Sequence, residues 1–163
     1  MTNVEMLREM IQMQMALDSA IYNGNNVEYN EEKCYLALFD ELGELNHELK
    51  KEWCWWKKTQ KEVDRTRVLE ELVDTYHFAM SIFYHAVVDE NIRRYILESN
   101  IFEKRSEWKV TYLYLFIIDD DMTIDILSNI YQLTIKLGFT MEDVYNEYKR
   151  KNKINFLRLE QNY

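Results

Sequence analysis

Two acidic pairs dominate the chemistry available to this chain, Glu41-x-x-Glu44 and Glu71-x-x-Asp74. Both lie in strongly helical sequence, on either side of a turn-like stretch around Lys58–Val63. Three residues of α-helix sweep about 300°, so the acids of each pair stand side by side, one turn apart. If helices over 36–57 and 66–88 pack antiparallel, four carboxylates face one point. Such a cluster cannot stay fully ionised without counter-charge. The natural counter-charge is Mg²⁺, a hard cation that prefers carboxylate, water and phosphate oxygens.

The elements that must position these acids are legible as hydrophobic stripes. Met6, Met10, Met13, Leu17 and Ile21 recur at helical spacing and predict a helix over Val4–Ile21, ended by Asn23-Gly24-Asn25-Asn26. A second helix is expected from about Asn30 through Trp56, with Leu38, Leu42, Leu45, Leu49, Trp53 and Trp56 as its seam. Glu41, Glu44 and Glu48 border that seam. The third helix, carrying Met80, Phe83 and Val87, is apolar on most of its circumference and therefore central. Its polar strip of Glu71, Asp74, His77 and Ser81 needs partners, which an active site would provide.

Beyond it, 89–121 is less regular and reads as a mobile insertion. Asn91–Ile101 predicts a short helix. Trp108–Ile118 is strand-like in composition but has no second strand to pair with, which favours helix. Asp119-Asp120-Asp121 reads as a solvated turn or helix start. A further helix follows over about Met122–Leu137, closed by Gly138. Thr140-x-x-Asp143 resembles a capping box for the last one.

Composition supports an all-α bundle of five to six helices in one domain over 1–163. The chain has no Pro and three Gly, too few turn glycines for an α/β nucleotide fold, and 47% hydrophobic residues to build a core. A net charge of -9 weighs against sequence-independent nucleic-acid binding, because phosphate backbones select basic faces. Two cysteines, Cys34 and Cys54, make neither a disulfide framework nor a zinc site. No apolar run is long enough to span a bilayer, and the N-terminus carries Glu5, Arg8 and Glu9 where a leader would be apolar. A soluble cytoplasmic protein is expected.

Acids on facing helices have two familiar outcomes. Di-iron proteins use Glu-x-x-His pairs. Here Glu44-x-x-His47 fits in number, but His47 points away from Glu44 on the helical wheel, and iron prefers nitrogen from two helices. The other outcome is Mg²⁺-assisted phosphate-ester chemistry, and there several segments match a family. Besides the acid quartet, Met13-Gln14-Met15-Ala16-Leu17-Asp18 is similar to its L-Q-x-x-L-N/D element. Trp53-Cys54-Trp55-Trp56-Lys57 and Val73-Asp74-Thr75-Tyr76-His77-Phe78 resemble its W-K-x-W-K and V-D-x-x-H-F segments. Lys151-Asn152-Lys153-Ile154-Asn155-Phe156-Leu157-Arg158, followed by Tyr163, resembles its C-terminal K-N-x-x-N-x-x-R-Q-x-x-G-Y.

The chain thus resembles the dimeric all-α dUTPases, within the all-α nucleoside triphosphate pyrophosphohydrolases that include MazG-type enzymes. The resemblance implies hydrolysis of dUTP to dUMP and pyrophosphate by a Mg²⁺-dependent homodimer, with dUDP as a further candidate substrate. It implies Glu41, Glu44, Glu71 and Asp74 as metal ligands, with Glu48 as base or orienter. Gln14, Asp18, Trp53, His77 and Asn155 match base-pocket positions. Lys57, Lys151 and Arg158 match phosphate-contacting cations. Leu159 and Asn162 depart from the family, which often has Gln and Gly there, and Asp18 stands where some members have Asn.

Each residue also has a plain reading: Trp53 as core, His77 as a satisfied buried histidine, Lys57 as part of a solvated helix end. His85 reads as structural. Competing functions are a MazG-like enzyme for other nucleotides, or a catalytically inactive helical interaction protein. The segment 151–163, rich in cations and amides, is expected to order over bound nucleotide.

Overall fold

A computed structural model describes residues 1–103, 109–118 and 120–161, and it is all-α, with eight α-helices and no strand among those residues. Helix α1 (Asn3–Asn25) opens on a capping box between Thr2 and Glu5. It runs through Gly24 and ends instead at Asn26, whose φ of 52° is left-handed. Asn tolerates that conformation, so the glycine is not the stop.

Helix α2 (Glu31–Glu48) is capped by Asn30 and buries Tyr35, Leu38, Leu42 and Leu45. The expected continuation to Trp56 is not formed. The chain breaks at Leu49, makes one further turn, α3 (Lys50–Trp53), and then runs without helix from Cys54 to Asp64. Trp53 and Trp56 therefore leave the seam, and Trp53, Trp55 and Trp56 are all exposed. Leu49 and Cys54 are buried instead and anchor the bend.

Helix α4 (Arg65–Ala86) starts at the Asp64 cap and is the central helix expected from its sequence. It packs against α2, against α1, and against α7 (Ile126–Lys136) and α8 (Met141–Glu160). Val68, Leu72, Val73, Ala79, Met80, Ile82 and Phe83 are fully buried along it. Between α4 and α7 come α5 (Glu90–Glu98) and α6 (Val110–Ile118), with 3₁₀ turns at Asn100–Phe102 and Asp120–Asp125. The strand-like Val110–Ile118 is helical, and its Leu113 and Ile117 join the same core as Leu97 of α5. α6 packs on α7 and α2, a surface that favours helix over isolated strand. Trp108 and Asp119 lie outside the described residues.

Gly138, at φ 79°, ends α7 in the left-handed region that glycine adopts freely. Thr140 and Asp143 form the expected capping box of α8. That helix continues through the segment expected to close over ligand, up to Glu160; Asn162 and Tyr163 lie outside the described residues.

Candidate active site

The packing of α2 against α4 brings acids from both helices together. Carboxylate oxygens of Glu41, Glu44 and Glu71 lie within 4.8 Å of one another. Glu71 is buried, Glu41 half-buried and Glu44 exposed, so the cluster opens to solvent on the α2 side. Burial first, then the charges of Asp74, Glu44 and Glu71, push the Glu41 carboxyl up to about 7. Burial also raises Glu71 and Asp74, opposed at Glu71 by Arg67 and at Asp74 by Lys151. The fourth acid, Asp74, is engaged by the Lys151 ammonium from α8, which also donates to the Glu70 carbonyl at 3.0 Å. Lys151 thus has firm partners within the chain.

Several contributors escaped sequence reasoning. Arg67 pairs with Glu71 and with Glu70 (2.6 Å), and its Nε stands 3.9 Å from Glu48. Arg150 reaches Glu70 at 3.0 Å and Glu147 at 2.6 Å. The i,i+4 spacing of Arg67 and Glu71 was available as a signal. The contact of Arg150 with Glu70, across two helices, was not. Glu44, Glu71, Asp74, Arg67, Lys151 and Arg158 all line one open cavity of about 380 Å³. Acids of α2 and α4 beside Arg67 and the α8 cations Arg150, Lys151 and Arg158 suit an anion that arrives with a divalent metal. The donor set near the three acids is all carboxylate oxygen; no histidine joins it among the described residues. His47 is exposed and is not among the residues whose ligand atoms converge with the three acids.

One turn further along α4 lies a second polar group of different character. Gln14 donates from Nε2 to Asp18 Oδ1 (2.6 Å), and Ser81 Oγ donates to Asp18 Oδ2 (2.7 Å). Gln14 Oε1 accepts from Tyr148 Oη (2.8 Å) and lies 2.7 Å from His77 Nδ1. All five side chains are buried. Burial, with the nearby Lys151 charge, lowers His77 to about 3, so its ring is neutral. Tyr148 was not anticipated: it stands far from Gln14 in the chain, and nothing local marks it.

The remaining expected residues are distributed differently. Asn155 lines the acidic cavity and not the buried network. Trp53, half-exposed, donates from Nε1 to the Asn46 carbonyl (2.8 Å) and lines a separate apolar cavity with Phe39, Leu42 and Tyr114. Lys57 is exposed and lines neither cavity. Helical phase alone would have carried both further along α2.

The dUTPase family profile matches residues 6–163. The chain belongs to the dUTPase family. As a member it is a dUTP diphosphatase, and its substrate is a nucleotide. No individual curated protein matches the chain. Among the described residues no helix is long and apolar enough to cross a membrane.

Proposed function

We propose that this dUTPase works with Mg²⁺ held by Glu41, Glu44, Glu71 and Asp74, releasing dUMP and pyrophosphate, with residues 1–163 acting as one domain. The observation that carries the reading is the convergence of three carboxylates from α2 and α4 within 4.8 Å, two of which, Glu44 and Glu71, line a cavity together with Arg67, Arg150, Lys151 and Arg158. Bound Mg²⁺ would supply the charge that admits a polyphosphate and makes a water more acidic. The residues of the chain do the rest. Lys151, Arg158 and Arg150 line the same cavity and offer charge-assisted donors to phosphate oxygens. Glu48, outside the three-acid group and next to Arg67, takes the proton from the attacking water. Asp74, engaged by Lys151 in this structure, would be available to hold the metal once Lys151 pairs with phosphate oxygens.

Gln14 and His77 offer the polar edge that reads the base, and Asp18 sits behind them. Trp53 and Lys57 belong to this proposal only through the family resemblance, because neither takes part in the hydrogen bonds that join Gln14, Asp18 and His77. A homodimer is part of the proposal. Leu36, Phe39, Trp55 and Trp56 are exposed apolar side chains that a second copy would cover. A cytoplasmic location is supported by two free thiols, Cys34 and Cys54.

The deciding experiment is pyrophosphate release across dUTP, dUDP, dCTP and the canonical dNTPs, with Mg²⁺ and with EDTA. The expected result is Mg²⁺-dependent turnover of dUTP above all others. Equal turnover in EDTA would remove the metal from the proposal. Preference for another base would favour a MazG-like substrate range. For assembly, light scattering should give twice the mass of the 20.0 kDa chain; a monomer mass at micromolar concentration would exclude the dimer.

A further inference from the structure

The buried network behind the acidic cavity has a direction, and one of its atoms is left over. Gln14 Oε1 is a carbonyl oxygen without a hydrogen, so both groups that meet it must donate. Tyr148 does so through a phenol that burial keeps protonated. His77 must then carry its single proton on Nδ1, the atom 2.7 Å from that oxygen. What makes Oε1 the end that faces His77 is the other end of the same amide. Nε2 is held 2.6 Å from Asp18 Oδ1, and Asp18 is itself fixed by Ser81. With Nδ1 protonated and the ring neutral, Nε2 of His77 bears a lone pair. It is also buried and without a hydrogen-bond partner. A buried acceptor left unpaired is a place where a ligand donor gains most.

We propose that Asp18 is a positioning residue that, by orienting the Gln14 amide, sets the His77 tautomer and leaves His77 Nε2 as the acceptor for the N3–H of a uracil-type base. The inference rests on the reading above that Gln14 and His77 face the base. Its chemical content is selectivity. Uracil and thymine carry a hydrogen on N3, whereas cytosine presents a lone pair there, which would meet the lone pair of Nε2. A ring with the opposite tautomer would accept the wrong partner just as readily. Asp18 therefore acts through two side chains without touching the base.

Asp18→Ala frees the Gln14 amide to turn and mixes the two His77 tautomers. The ratio of kcat/KM for dUTP over dCTP then falls by at least about tenfold. The ratio for dUTP over dTTP stays as it was, because thymine has the same N3–H. Asp18→Asn, whose carbonyl still accepts from Gln14 while its amide serves Ser81 Oγ, restores the first ratio. Nitrogen-15 NMR of the unmodified enzyme at neutral pH reads the tautomer directly and needs no variant. It should show Nδ1 protonated and Nε2 bare, with the Nε2 resonance shifting when dUMP is added. Nε2 found protonated in the free enzyme would overturn the proposal. So would Asp18→Ala turning over dUTP and dCTP in the ratio of the parent, or changing all three nucleotides alike. An enzyme that never prefers dUTP would instead overturn the underlying base assignment, and a tautomer of the expected kind in such an enzyme would separate the two failures.

Discussion

Two polar groups share helix α4, one turn apart, and they are stabilised in opposite ways. The acidic site holds carboxylates of Glu41, Glu44 and Glu71 within 4.8 Å of one another and is open to solvent at Glu44; burial raises Glu41, Glu71 and Asp74, opposed by Arg67 at Glu71 and by Lys151 at Asp74. The Gln14–Asp18–His77–Ser81–Tyr148 network is buried and hydrogen-bonded, with His77 Nε2 left without a partner. The first group is under electrostatic stress that an incoming cation relieves, so substitution there should cost activity and not stability. The second is a set of matched hydrogen bonds in a low-dielectric interior, where each missing partner costs stability.

The sharpest way to break that contrast is Glu71→Gln. Turnover should fall by more than about 100-fold, in line with the several kcal/mol a metal site contributes. The metal-free melting temperature should hold or rise, because one like charge is gone. Normal activity would take Glu71 out of the site. Gln14→Leu probes the other side. It strands Asp18 Oδ1, the Tyr148 hydroxyl and His77 Nδ1, at about 1 kcal/mol or more each. A loss near 3 kcal/mol lowers the midpoint of a chain this size by about 6–12 °C. Thermal melts would show it, and an unchanged midpoint would mean the network contributes nothing to folding.

Tyr148→Phe removes a single donor and leaves His77 Nδ1 on Gln14. About 1 kcal/mol, or about 3 °C, should be lost. A loss as large as that of Gln14→Leu would show that the phenol, and not the amide, organises the cluster. The smallest effect concerns pH. Glu41 has a folded value of about 7 against an ordinary 4.5, so the folded chain binds its proton more tightly. Stability from this group is therefore full below about 4.5 and is lost as pH rises through about 7. In EDTA, Glu41→Gln should raise the midpoint by about 2–4 °C at pH 8, a modest figure because the group is only half-buried. The gain should shrink to nothing as pH falls toward 5. A gain independent of pH would assign it to packing instead of charge. His77, lowered to about 3, acts in the opposite sense: its contribution is present above about 6.5 and is lost as pH falls. The comparison between variant and parent at each pH isolates Glu41 from it.

The sequence by itself determined what periodicity and local chemistry determine. Helical stripes, the Thr140–Asp143 cap, the Gly138 stop and the centrality of α4 follow from side chains that interact within a few residues. The acid pairs were visible for the same reason, since a spacing of three places side chains together on any helix. Tertiary structure alone decided where helices stop for non-local reasons and which distant groups meet. Leu49 and Cys54 are buried at the bend after Glu48, and Trp53 is left exposed beside a separate apolar cavity, off the seam that helical phase predicts. Tyr148 found Gln14, and Lys151 found Asp74, because α8 returns along α1 and α4. No local pattern encodes that return. It depends on which apolar faces exclude water together, and the partners of every buried polar group follow from it.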